Sequence, residues 1–223
     1  MQDITILFLT INKVPKKWAE YQQKVLREAM GDCPAITVSR EPMDWGTNII
    51  QTEEASSSNV YFQMLRAAKI ATTPYIAVAE DDVLYQREHF LIRPPLDAFA
   101  YNMCRWSLFT WAPIYNHRDW RGNFALIAPR ELLIEALEER FAKFPDGIPE
   151  GLAGELGREA IEKRLGVTRR KVMEFWTTTP IVVFHHDFEM DRLAREHKKR
   201  MSMIRAYDIP HWGKAEELVK HFK

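Results

Sequence analysis

Apolar positions along this chain fall into two rhythms, and the first eighty residues carry both. Ile4 to Thr10 is a continuous apolar run, as a strand covered on both faces would be. Lys16 to Met30 repeats at helical spacing and stops at Gly31. Ala35 to Ser39 is a short second strand, and "EPMDWGTNIIQTEEASSS" is a polar loop. Its serines and Asn59 cap a helix through Ala71, with Tyr61, Met64, Leu65 and Ala68 on one face. "TTP" breaks that helix and "YIAVA" is a third strand. The order strand, helix, strand, helix, strand predicts a parallel sheet with helices on its faces.

The rhythm loosens after Arg87. "PPLDAFAYN" is expected to hold a short helix, "RWSLFTWAPIY" a strand rich in aromatics, and "GNFALIAP" another strand. Arg130 to Phe141 reads as a helix with Leu133, Ala136, Leu137 and Phe141 inward. Leu152 to Leu165 reads as a helix stopped by Gly166, and "TTPIVVFHHD" as a last strand. Phe188 to Lys223 is a basic, then mixed tail with a short helix near Ala215 to His221. The division that follows is a domain over 1–187 and a C-terminal extension over 188–223.

The pattern breaks at "YIAVAEDDVLY", where a strand ends in Glu80, Asp81 and Asp82. Ligands of parallel sheets bind at the carboxyl ends of the strands. An acid pair there suits a divalent cation carrying phosphate. The plainer alternative is a solvated strand end or a helix cap. Receiver domains and phosphatases place acids after the first strand, whereas here that strand ends in Thr10, Ile11 and Asn12.

This arrangement resembles the GT-A glycosyltransferases, especially the inverting family-2 type, over roughly residues 3 to 190. "ITILFLTINK" looks like the strand and loop that receive the nucleotide. "NVYFQMLRAAKIATTPYIAVAEDD" looks like the family's helix, strand and acidic metal motif, here Glu-Asp-Asp in place of the common Asp-x-Asp. "GNFALIAPRELL" is similar to the acceptor-side strand and helix, and "GELGRE" stands where the family carries its catalytic acid. The resemblance implies an α/β, Rossmann-like, mostly parallel sheet with a basic C-terminal extension. It also implies a nucleotide-diphosphate sugar donor and Mn²⁺ or Mg²⁺. Asp82 and Glu80 are then metal ligands, and Asp81 faces sugar or ribose. His185 or His186 is the late metal-binding histidine; in an alternating strand only one should face the pocket.

Other candidates keep a second reading beside the first. An inverting transferase needs a carboxylate base, and Glu155 fits, with Glu159 behind it; both also have ordinary helix-pair spacing to Arg158 and Lys163. Thr10, Asn12 and Glu41 or Asp44 are nucleotide candidates or plain loop chemistry, and Asn59 is a ligand or a cap. Trp106, Trp111, Tyr115 and Trp120 could stack on sugars or bases, with at least two expected in the core. "RLAREHKKRMSMIR" has six basic residues and one acid, a flap over the diphosphate that includes Arg200, or a solvated face.

Composition narrows the classes further. The 223 residues are 46% hydrophobic and 28% charged, with 31 basic and 31 acidic side chains. Net neutrality points to no polyanionic partner. Two cysteines without a CxxC pair argue against a disulfide scaffold or zinc ribbon and fit a reducing, cytoplasmic setting. No apolar stretch reaches the roughly 20 residues of a membrane span. The short length and basic tail resemble small phage-type transferases, some of which glycosylate hydroxymethylated pyrimidines in DNA, so a nucleic-acid acceptor is one expectation. Two rivals stand: a nucleotidyltransferase, which would carry a glycine-rich loop after the first strand, and a non-catalytic nucleotide-sugar-binding module.

Overall fold

A computed structural model describes residues 3–186 and 203–223. Its first eighty residues alternate as their pattern predicts. Strand β1 (Ile4–Leu9) leads to helix α1 (Lys16–Met30), β2 (Ala35–Ser39), β3 (Thr47–Ile50), α2 (Ser57–Ile70) and β4 (Tyr75–Glu80). Helix α1 buries Trp18, Gln22, Leu26, Ala29 and Met30, one stripe at helical spacing. Ser56 caps α2, its hydroxyl accepting from the Asn59 N–H at 3.0 Å.

Strand β3 was expected to be loop. Only Ile49 and Ile50 mark it, too few for a period. Gly46 makes it possible: its φ is +64°, and a Cβ there would meet the Ala35 carbonyl oxygen at 2.1 Å. The chain thus turns hard against β2 and pairs in parallel with it.

The remaining elements are β5 (Val83–Leu84), β6 (Ala98–Asn102), β7 (Arg105–Phe109), β8 (Ala112–His117), β9 (Leu126–Pro129), α3 (Arg130–Lys143), α4 (Glu159–Leu165), β10 (Lys171–Phe175), β11 (Ile181–His185), β12 (Arg205–Ala206), β13 (Asp208–Ile209), β14 (Gly213–Lys214) and α5 (Ala215–Val219). Four expectations are corrected here. "AFAYN" is strand β6, all five of its residues buried, where a helix was expected. The aromatic stretch is two strands, β7 and β8, joined by a tight turn at Thr110 and Trp111. Strand β10 stands where no element was expected. The helix expected from Leu152 begins at Glu159, because Gly154 and Gly157 break the earlier stretch into turns.

Seven strands form the main sheet in the order β10-β6-β9-β4-β1-β2-β3. All pair in parallel except β9, which runs against both β4 and β6. One face buries Leu7, Val38, Met64 and Leu133 under α2 and α3; the other buries Ile6, Phe8, Leu26 and Phe90 under α1. A second sheet, β12-β8-β7-β11-β5, crosses the carboxyl end of β4. Its core of Leu84, Leu108, Phe184 and Phe222 lies against Trp18 of α1.

Candidate active site

The acidic turn sits where two sheets meet. In register, Leu9 of β1 lies beside Glu80 of β4, so Thr10 and Asp81 leave adjacent strand ends together. The Thr10 hydroxyl donates to Asp81 Oδ2. Burial pushes the Asp81 carboxyl up to about 6, against the lowering pull of that hydrogen bond. Helix α1 braces the turn from below. Trp18 Nε1 donates to the Asp81 carbonyl at 2.7 Å, and Gln22 Nε2 to the carbonyls of Glu80 and Val83 at 3.2 and 3.0 Å. From the other side, the Phe184 N–H donates to the Asp82 carbonyl at 2.8 Å. Tyr85 accepts from the Glu80 N–H at 3.1 Å and donates to the Phe124 carbonyl at 3.0 Å.

Thr10, Asn12, Glu41 and Asp81 line one cleft of about 250 Å³ with Phe8, Val14, Lys16 and Gln22. Asn12 shapes its rim. It has a φ of +56°, a conformation that asparagine tolerates better than most residues. Its Oδ1 accepts from the N–H groups of Arg40 and Glu41 at 2.8 and 3.1 Å. Asn59 is not in that cleft. It belongs to an amide chain in which Gln63 Nε2 donates to Asn59 Oδ1 (2.8 Å), Asn59 Nδ2 to Gln51 Oε1 (3.0 Å), and Gln51 Nε2 to the Thr10 carbonyl (2.9 Å). Arg200 lies outside the described residues.

The two histidines part ways as alternation requires. His185 Nε2 lies 3.0 Å from Ser107 Oγ, and its ring stacks on Phe109 at 4.9 Å. His186 Nε2 lies 3.9 Å from Asp82 Oδ2, with its ring 4.9 Å from Phe222. An oxygen and a nitrogen facing each other at that distance suit an Mn²⁺-type ion in part. Among the described residues no three His, Cys, Asp or Glu side chains converge as a full metal cage.

Glu155 sits in the turn before α4, half-buried, its carboxylate 3.2 Å from Arg158. Arg140, 1% exposed, donates to the carbonyls of Gly154 and Glu155 at 2.8 and 3.4 Å and fixes that turn. Of the four dense aromatics, Tyr115 is core, Trp106 and Trp111 are half-buried, and Trp120 is 42% exposed.

Four contributors had no place in the sequence reading. Trp18 and Gln22 occupy one α1 face at a four-residue spacing, and that pairing of an indole with an amide inside an apolar stripe was the available signal. Tyr85 reads as ordinary apolar sequence. Arg105 opens β7 and is 1% exposed. Burial, then neighbouring Arg118, lower its guanidinium to about 9, while Glu155, Asp82 and Glu80 push the other way.

No protein-family model matches the chain, and no curated protein matches it. Solved structures do. A glycosyltransferase involved in glycosylation of the major capsid of PBCV-1 is 15% identical with a TM-score of 0.50, over 89% of this chain and 99% of that one. A mannosyltransferase from Pyrobaculum calidifontis, in complex with GDP-Man and Mn²⁺, is 13% identical with a TM-score of 0.47; the match covers 88% of this chain and 60% of that one. A nucleotidyl transferase from Methanothermobacter thermautotrophicus is 13% identical with a TM-score of 0.45, over 81% of this chain and 89% of that one. The viral enzyme matches nearly end to end, and what it shares with this chain is the fold, a mostly parallel sheet flanked by helices of the GT-A-like kind, which in this chain has seven strands.

Proposed function

We propose that this protein transfers a sugar from a nucleotide-diphosphate donor to an acceptor hydroxyl, with inversion and with a divalent metal. The observation that carries the reading is the meeting of the cleft of Thr10, Asn12, Glu41 and Asp81 with the acidic turn and His186. The nucleotide lies in that cleft, with Glu41 and Asn12 toward base or ribose. Asp82 and His186 hold the metal, with Glu80 beside them; His185, engaged by Ser107, stays behind as support. When bound, the metal neutralises charge on the departing diphosphate. Glu155 takes the proton of the acceptor hydroxyl. The new bond forms between that oxygen and the anomeric carbon, and the bond from that carbon to the diphosphate breaks.

The test is a melting-temperature panel of nucleotides and nucleotide sugars, each with and without Mn²⁺, on the wild type, Asp82→Ala and His186→Ala. One nucleotide sugar should raise the melting temperature in an Mn²⁺-dependent way, and both variants should lose that dependence. A shift by nucleoside triphosphates alone would turn the reading to nucleotidyl transfer. No shift with any diphosphate would remove it.

A further inference from the structure

A buried guanidinium is costly unless carboxylates and hydrogen bonds satisfy it. Within the described protein Arg105 has no carboxylate partner and only one hydrogen bond. It is 1% exposed, yet no carboxylate of the described residues lies within ion-pairing distance of it. Of its five N–H groups, one donates to the Trp120 carbonyl at 3.3 Å. Its Nε is buried without a partner. The flat group instead rests on rings, 4.6 Å from the centre of Phe124 and 5.5 Å from that of Trp120. Arg118 faces the same Trp120 ring at 4.7 Å and adds a like charge.

The local backbone is built to keep this arrangement. Gly122 lets the Phe124 ring fold back under Arg105, since a Cβ at Gly122 would meet that ring at 2.4 Å. Phe124 is itself tied to the acidic turn through Tyr85. Trp120, whose carbonyl and ring both meet Arg105, keeps 42% exposure, so the guanidinium is covered by a residue that reaches the surface.

Position decides which substrate would meet this cation. The nucleotide cleft lies over β1, β2 and α1, on the far side of the acidic turn. Arg105 starts β7, on the half that carries Glu155. If the acids bind a metal, they no longer offset Arg105, and the need for an anion there grows. We propose that Arg105 binds an anionic group, a phosphate monoester or a carboxylate, on the acceptor substrate, within reach of the hydroxyl that Glu155 activates. The proposal rests on the transferase reading for the word acceptor, but the anion site stands on Arg105 itself. A single buried guanidinium fits one terminal oxyanion bidentately. It does not fit a backbone of diesters, which calls for a row of exposed cations.

The experiment uses the full chain, saturated with Mn²⁺ and with whichever nucleoside diphosphate raises its melting temperature, or unliganded if none does. Inorganic phosphate, acetate and an unphosphorylated deoxyoligonucleotide are then titrated by calorimetry into the wild type, Arg105→Gln and Arg105→Lys. Phosphate or acetate should bind the wild type and lose at least about tenfold in affinity in either variant, the worth of one charge-assisted contact. Which of the two anions binds more tightly names the group. Should Arg105→Gln fail to fold, the Nε–H resonance of Arg105, assigned by its loss in Arg105→Lys, must shift when the tighter anion is added to the wild type. Equal affinity in wild type and variants, or an unmoved resonance, overturns the proposal and leaves the transferase reading intact. Arg105-dependent binding of the oligonucleotide in preference to phosphate overturns it in favour of a nucleic-acid acceptor. Loss of nucleotide-sugar binding with anion binding retained would instead strike the transferase reading.

Discussion

The two halves of this protein bury polar groups of different kinds. From β1 to β4 the buried polar side chains are all neutral: Thr5, Thr10, Gln22, Thr37, Ser39, Gln51, Gln63 and Thr73. From β5 to β11 they include His89, Arg105, Arg118, Arg140, Glu162, His185 and His186. Amides and hydroxyls are cheap to bury once bonded, and they fix a backbone. Charges are costly to bury and respond to what comes near. The first half therefore fixes its cleft with neutral hydrogen bonds, and the second half concentrates the buried charge.

Substituting a buried charge in the second half tests that contrast most severely. Arg140→Met should destabilise the protein by about 4 kcal/mol in urea unfolding, since it orphans the carbonyls of Gly154 and Glu155. A loss under about 1 kcal/mol would mean that buried charge there is not structural.

His89 is the next lever. It is fully buried, its Nδ1 is 3.2 Å from Asn102 Nδ2, and burial holds its imidazole down at about 3, against 6.5 when exposed. Between those values the unfolded chain takes up a proton that the native ring refuses. Stability is therefore complete above pH 6.5 and falls as pH drops toward 3. By pH 5 the loss should be about 2 kcal/mol. His89→Gln, which cannot titrate, should flatten that part of the profile; an unchanged slope would show that other groups set it.

The mildest change belongs to the first half. Gln51→Leu removes the link between the Thr10 carbonyl and Asn59 and should cost about 1–2 kcal/mol. The change in stability should be nearly the same at pH 5 and pH 8, because no charge is involved. A clear pH dependence would erase the distinction between the halves.

The same division explains what the sequence could disclose. Helix α1 was legible to its last residue because Trp18, Leu26 and Met30 share one stripe and Gly31 stops it. The acidic turn was legible because three acids rarely follow a buried strand. Strand β6 was not, since Ala98, Phe99, Ala100 and Tyr101 are buried on both faces and show no period. Strand β3 rests on a glycine at which any Cβ would collide with the Ala35 carbonyl oxygen, which is a property of the partner strand as much as of Gly46. Among site residues, Thr10, Asn12, Glu41 and Asp81 share a cleft because adjacent parallel strands end together. Asn59 was legible as a helix-start residue, but its amide turns inward to Gln51. Nothing local distinguishes Arg105 from any strand-edge arginine; its surroundings come from Trp120 and Phe124, in a separate loop.

The brace on the acidic turn joins distant parts of the chain. Phe222 packs against Trp18 and His186, and Lys17 Nζ reaches the Lys220 carbonyl at 2.6 Å across 203 positions of sequence. On the ribosome, β1 to β4 can pair as they emerge, since their partners are close in the chain. Trp18 can bond the Asp81 carbonyl early, but its ring gains the Phe222 side of its packing only once that distant segment has been made, so the acidic turn is braced in two stages.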